Sequence, residues 1–378
     1  MTIHAPSFTT IRISLATAAL AATMSFAAQA HGPNDPPHQS LFLGDLKLES
    51  GEVIKDFSIL YVTHGTLNPD KSNAILVVTA LGGNHHRIDY LIGPGRALDP
   101  TKYFIIATDA IGNGLTTSPS NSKAQPHMQF PKFNIRDMVN SQHGLVTERF
   151  GITKLASVIG PSMGGMQALQ WAVSYPDMMD SIVPIIPIGR TTAWTTGMLE
   201  MVRQTIMADP KFNGGNYASS DPPEQGMRLW AAWLSIVVRT PRYMEALFPN
   251  NLDAIAYLKS MQEGWRRMDA VDWIYQSWAC DQHNVGTTPG MNGDYHKALK
   301  SIKAKTLIMA GTGDLLAPEY ESMEAAQYIS DVRYIAINAT RPMGHISGAG
   351  ITAPENEFQN REIGAFLDLV TERGRKIQ

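Results

Sequence analysis

The chain has 378 residues, a formal net charge of −3 and one cysteine. Hydrophobic residues make up 44%, which excludes a disordered chain, and charged residues only 17%, against about 25% in an average domain. The near-neutral balance gives no basic footprint for nucleic acid, and a lone Cys280 excludes a disulfide framework or a CxxC motif.

Residues 1–30 read as an address. They hold no Asp or Glu and one Arg, Arg12. An apolar run over 13–28 ends in Ala28-Gln29-Ala30, the small-x-small pattern of a signal-peptidase site. Residues 31–37 (HGPNDPP) then break any helix. The run is rich in Ala, Ser and Thr rather than Leu, so a cleaved signal is expected rather than a membrane anchor. The expectation is export to the periplasm or secretion, with cleavage after Ala30 and no membrane span thereafter. One thiol suits an oxidising compartment, because it cannot mispair within the chain.

The remainder alternates strand and helix. Residues 74–81 and 103–108 are short continuous apolar runs, as expected for strands buried on both faces. A helix is expected over 134–150, with Ile135, Met138, Val139 and Leu145 on its apolar positions and Gly151 just beyond. A strand over 154–159, a helix over 163–175 and a strand over 182–186 follow. Strands recur at 305–309 and 332–337, before a closing helix at 355–370. Residues 51–62 are expected to add antiparallel strands at one edge. This order predicts an α/β fold with a mostly parallel twisted sheet and helices on both faces.

Residues 190–299 differ. They contain six of the seven tryptophans (Trp194, Trp230, Trp233, Trp265, Trp273, Trp278) and many methionines. The one strand-like run, 234–238, fits helical spacing equally well. This section reads as a helical lid inserted into a core formed by residues 40–189 and 300–378.

The chemistry starts at Gly160-Pro161-Ser162-Met163-Gly164, a G-x-S-x-G turn between a buried strand and a helix. Such an elbow holds the serine in strained backbone, and side chains two residues to either side would collide, so glycine stands at both places. The helix that follows points free N–H groups at an anion forming near Ser162. A serine nucleophile needs a base and an orienting acid, which follow it in the order Ser, Asp/Glu, His in folds built on this elbow. Asp314, in a Gly-rich loop after the 305–309 strand, is the expected acid, with Glu319 as a weaker substitute. His345 is the only histidine beyond it and is the expected base. The oxyanion hole is expected from the backbone N–H groups of Met163 and of Leu81, in the Ala80-Leu81-Gly82-Gly83 loop. His85 and His86 follow that loop. They lack an accompanying carboxylate cluster, and a surface loop is expected there rather than a metal site. No metal and no cofactor are expected. Trp230, Trp233, Trp273 and Met201 are candidates for an apolar substrate pocket.

Residues 160–177 (GPSMGGMQALQWAVSYPD) resemble the nucleophile region of the homoserine O-acetyltransferase family of α/β-hydrolases. Residues 91–99 (LIGPGRALD), 135–138 (IRDM), 208–210 (ADP), 267–270 (RMDA) and 342–345 (PMGH) have counterparts there too. The resemblance spans nearly the whole chain after residue 30. It implies the α/β-hydrolase fold, the triad Ser162, Asp314 and His345, and a tunnel roofed by the lid. It also implies a homodimer, since the family commonly pairs through its lid helices.

The departures are informative. The family's first oxyanion loop usually begins with His, where this chain has Thr79. A lid Arg, a lid Tyr and an Asp after the base hold the family's amino-acid acceptor; the matching positions here are Ala231, Val238 and Ile346. An amino acid entering a dry tunnel needs charged partners, which these residues do not supply. The expectation is an exported serine hydrolase of carboxylic esters, acting on a small-molecule ester or acyl substrate. An O-acyltransferase with a changed acceptor and a non-catalytic binding protein on the same fold are the alternatives.

Overall fold

The computed structural model describes residues 35–377; the expected signal peptide, 1–30, lies outside them. Among the described residues eight strands form one sheet in the order β1-β2-β4-β3-β5-β6-β7-β8. They are β1 (Gln39–Lys47), β2 (Val53–His64), β3 (Ala74–Val78), β4 (Phe104–Thr108), β5 (Leu155–Pro161), β6 (Met179–Ile185), β7 (Lys305–Gly311) and β8 (Val332–Ile337). β1 and β2 pair antiparallel, β2 joins β4 antiparallel, and every other pairing is parallel.

The strand runs are continuously apolar because they face two cores. In β3, Ala74, Leu76 and Val78 point into one core and Ile75 and Val77 into the other. In β4, Phe104 and Ile106 take the first side and Ile105 and Ala107 the second. Side chains alternate across a strand, so a strand covered on both faces has no polar side to show.

Helices α1 (Ile135–Gly144) and α2 (Met163–Ser174) cover the first face. α1 begins with a capping box: the Asn134 side chain accepts from the Asp137 N–H, and the Asp137 carboxylate accepts from the Asn134 N–H, each at 2.9 Å. The helix expected to reach residue 150 becomes a π-helical turn at Leu145–Arg149, and Gly151 closes it at φ +58°.

Between β6 and β7 the chain forms α3 (Ala193–Met207), α4 (Glu224–Val237), α5 (Pro241–Leu247), α6 (Asn251–Gln262), α7 (Ala270–Asp281) and α8 (Tyr295–Lys300). Residues 234–237 are the end of α4, so the helical spacing prevails there. α9 (Glu319–Tyr328) links β7 to β8, and the closing helix α10 (Ala353–Ile377) packs Ile363, Phe366 and Leu367 on the second face. Among the described residues no helix is long and apolar enough to cross a membrane.

Candidate active site

Ser162 follows β5 and directly precedes α2. Its φ of 57° and ψ of −118° lie outside the regions L-residues prefer. The turn is held from both sides: the Ser162 N–H donates to the Ile185 carbonyl at 2.9 Å, and the Ser162 carbonyl accepts from Met166 at 3.1 Å. A Cβ on Gly160 would come within 2.6 Å of the Val78 carbonyl oxygen, and one on Gly164 within 2.5 Å of the same atom. The two glycines let β5 and α2 close on β3, whose backbone is the obstacle.

His345 lies after β8, in a short 310 turn over Gly344–Gly348. Its Nε2 is 2.8 Å from Ser162 Oγ, and its Nδ1 is 2.7 Å from Asp314 Oδ2. The Asp314 side chain is fully buried. Its other oxygen, Oδ1, accepts from the Leu316 and Ala317 N–H groups at 2.8 and 2.9 Å. Both carboxylate oxygens are thus engaged. An ionised carboxylate only accepts, so Nδ1 carries the hydrogen and Nε2 is left to accept from the serine hydroxyl. All three residues sit in loops beyond the C-terminal ends of parallel strands, where ligands bind in such sheets. Glu319 is elsewhere, accepting from the Tyr334 hydroxyl at 3.0 Å.

Leu81 and Met163 line the cavity at Ser162, and neither N–H donates to another described residue. The loop carrying Leu81 is fastened by residues that the motifs did not reveal. Gln276 of α7 accepts from the Gly82 N–H at 2.9 Å and donates to the Ile111 carbonyl at 3.0 Å. Gln167 of α2 donates to the Thr79 carbonyl at 3.0 Å. The available signal was an amide on an otherwise apolar helix; a buried amide must find partners.

The cavity is narrow, about 20 Å3, and partly open to solvent. Met166, Ile186, Ile188, Leu199, Leu316 and Ala317 form an apolar wall, with Thr195 and Cys280. Burial pushes the Cys280 thiol well above its ordinary range, which disfavours a reactive thiolate.

The expected pocket residues are not in this wall, which corrects the sequence expectation. Met201 is 56% exposed. Two residues from Leu199, it falls on the opposite side of α3, whose inner face carries Thr195, Leu199, Val202 and Ile206. Trp273 is buried against Trp230, ring centroids 6.0 Å apart, and packs near Gly82 of the Leu81 loop. Trp233 is half-buried against the core. Trp230 lines a second cavity, with Ala231, Leu234, Ser235, Met261, Gly264 and Arg267.

His85 is a further correction. It is 1% exposed rather than in a surface loop, with Nδ1 2.7 Å from Asp109 Oδ2 and Nε2 3.3 Å from His38 Nε2. His86 bonds Asp89 at 2.7 Å. Among the described residues no group of three or more His, Cys, Asp or Glu side chains is arranged to hold a metal ion.

Val238 and Ile346 are buried and adjacent, the Ile346 N–H donating to the Val238 carbonyl at 3.0 Å. Thr240 continues the grip: its N–H donates to the Met343 carbonyl at 3.3 Å and its hydroxyl to that of Pro342 at 2.7 Å. The end of α4 therefore holds the His345 loop on both sides of the imidazole. The buried cation beside them, Arg239, donates to the Ser235 carbonyl at 2.6 Å and lies 5.3 Å from the centre of the Tyr257 ring.

A strained serine after a central parallel strand, with acid and base following in loops of the same sheet edge, defines an α/β-hydrolase. Residues 73–349 match the family described as the alpha/beta hydrolase fold. A homoserine O-acetyltransferase of Nostoc punctiforme is 36% identical over 343 residues, covering 85% of this chain and 94% of that protein. An acetylester hydrolase from Corynebacterium glutamicum superposes with a TM-score of 0.82 at 30% identity, over 88% of this chain and 96% of its own. The acetyl esterase MekB superposes with a TM-score of 0.83 at 30% identity, over 91% and 99%. The chain belongs to the α/β-hydrolase-fold family and, within it, to the homoserine O-acetyltransferase-like enzymes, which include both transferases and esterases.

Proposed function

We propose that the protein is an exported serine esterase that hydrolyses short-chain carboxylic esters through Ser162, His345 and Asp314. The observation that carries this reading is the hydrogen-bonded line from Ser162 Oγ through the imidazole to Asp314, opening on an apolar cavity with no acidic side chain in its wall.

In the acylation step His345 Nε2 takes the serine proton as Ser162 Oγ adds to the ester carbonyl. Asp314 holds the tautomer and stabilises the imidazolium that forms. The Leu81 and Met163 N–H groups receive the oxyanion. His345 then protonates the leaving alkoxide, and the acyl group stays on Ser162. In deacylation His345 takes a proton from water, the hydroxide oxygen adds to the acyl carbon, and the proton returns to Ser162 as the acid leaves.

Two features support water over an amino-acid acceptor. Ala231, Val238 and Ile346 stand where the resemblance implies an acceptor's charged partners. An ammonium group brought there would be left unpaired in a dry site, which costs far more than it gains. The signal-like segment 1–30 supports export, and outside the cell water is the commonest acceptor. The identity to homoserine O-acetyltransferases favours a second reading, acyl transfer to a less charged alcohol.

Partitioning separates the two. The protein is given 4-nitrophenyl acetate with and without homoserine and other alcohols, and free acid and acylated alcohol are both quantified. Free acid is expected to account for the turnover, with no acyl group on homoserine. Acyl transfer to an added alcohol faster than to water would establish the transferase reading.

Leu199 tests the wall. Shortening it deepens the cavity, so Leu199→Ala is expected to raise kcat/KM for the butyrate ester relative to the acetate by about tenfold, since one or two methylenes gain about 1–3 kcal/mol in a pocket that fits them. An unchanged preference would remove this wall from the acyl site.

A further inference from the structure

Asp314 has a second carboxyl group close by. Glu321, in the first turn of α9, is 4% exposed. Its Oε1 accepts from the Thr192 hydroxyl at 2.8 Å, while Oε2 is buried with no hydrogen-bond partner among the described residues. Thr192 is the residue that opens α3. Two further contacts run from the same stretch to the acid loop: Trp194 Nε1 donates to the Leu315 carbonyl at 2.6 Å, and the Thr195 hydroxyl to the Leu316 carbonyl at 3.0 Å. Leu316 in turn donates its N–H to Asp314. The start of α3 is therefore fastened to the acid loop and α9 at three points, one of them a carboxyl group, and Thr195 and Leu199 of the same helix line the cavity.

The charged and titratable groups around Glu321 are Arg190 before α3, Asp314 in the acid loop, Glu324 on its own helix and Tyr295 on α8. The Arg190 guanidinium is committed to Glu324, at 2.9 and 3.1 Å, and lies 4.4 Å from the centre of the Tyr295 ring. His296 also bonds Glu324, at 2.9 Å. Burial pushes the Glu321 carboxyl up to about 7. The Thr192 hydrogen bond and Arg190 act against the rise, and the charges of Asp314 and Glu324 add to it.

We propose that Glu321 is a positioning residue that acts through Asp314: its carboxyl group accepts from Thr192 in either protonation state and latches the start of α3 to the acid loop, and as an anion it adds a second negative charge to the field in which His345 takes up the serine proton. This rests on the roles proposed above for Asp314 and His345. A negative charge near Asp314 favours the imidazolium of the transition state, so losing it slows the reaction only where Glu321 would be ionised.

Glu321→Gln tests this. Glutamine keeps an oxygen for Thr192 and cannot ionise, so it imitates the neutral acid at every pH. With 4-nitrophenyl acetate, the variant and the wild type are expected to have equal kcat near pH 5.5. Near pH 8.5 the variant is expected to be about threefold slower, the size of a single charge acting through a partly screened interior, with the ratio changing around pH 7. A purely structural latch would lower the rate by the same factor throughout.

Thermal unfolding gives a readout that does not depend on the reaction. A carboxyl group held above its unfolded value contributes its full stability at pH below the ordinary Glu range and loses it as pH rises through about 7. The Tm of Glu321→Gln minus that of the wild type is therefore expected to grow by a few degrees between about pH 5 and pH 8.5. A pH-independent activity ratio overturns the proposal, whatever the Tm difference does. Ser162→Ala is assayed alongside: a wild-type rate there overturns the serine-esterase reading instead, and the two failures are told apart by which variant gives the unexpected result.

Discussion

Ser162→Ala is expected to lower kcat for 4-nitrophenyl acetate by at least about a thousandfold, leaving only what the oxyanion donors and binding supply. The fold should survive the change. Alanine has the same Cβ as serine, so the strain at φ 57° is neither relieved nor increased, and the hydrogen bond that Oγ makes is to His345 in a loop rather than to the sheet. Loss of the hydroxyl removes the acyl-enzyme, so the burst of nitrophenol and labelling by an organophosphonate should vanish together. A variant that keeps a tenth of the wild-type rate, or still takes up the label, would move the nucleophile elsewhere.

Asp314→Asn is expected to cost on the order of 10^4 in kcat, with little change in Tm. The two halves of this expectation have one geometric cause. Asp314 Oδ1 accepts from the N–H groups of Leu316 and Ala317, and in asparagine only the amide oxygen can take that place. The amide nitrogen must then face His345 Nδ1, where it donates. The imidazole responds by carrying its hydrogen on Nε2, aimed at the serine oxygen, and no longer accepts the serine proton. The loop keeps its backbone hydrogen bonds, so stability is nearly untouched. A loss of less than about tenfold would mean that the ring is oriented by something other than this carboxylate.

The parallel core was legible because strands such as 74–78 are buried on both faces and show as unbroken apolar runs. The elbow was legible because its two glycines answer a steric demand local to the turn; Asp314 and His345, expected from chain order and strand-end position, are brought together, with His345 within hydrogen-bond distance of both Asp314 and Ser162. β1 was harder: at the edge of the sheet, Gln39–Lys47 mixes half-exposed and exposed residues with a glycine, Gly44, at a break in register. The pocket was illegible for a different reason. Tryptophans announce that helices pack, but which face of α3 turns toward Ser162 depends on contacts with the acid loop, far away in sequence. Buried polar residues such as Gln276, His85 and Glu321 were hidden in the same way, since their partners lie in other elements.

The chain leaves the sheet at the end of β6, forms α3 to α8, and returns as β7 on the neighbouring strand position. Closing a loop over such an excursion depends only weakly on its length; a doubling costs about 0.6 kcal/mol in chain entropy. Residues between the two strands can therefore be lengthened, shortened or replaced over generations with little penalty to the sheet, provided a few points, such as the grip of Val238 and Thr240 on the His345 loop, persist. The serine turn lies before this stretch and the acid and base after it. Thr195, Leu199 and Cys280 bring this stretch into the cavity wall beside Ser162, so that part of the wall can change in a segment separate from Ser162, Asp314 and His345.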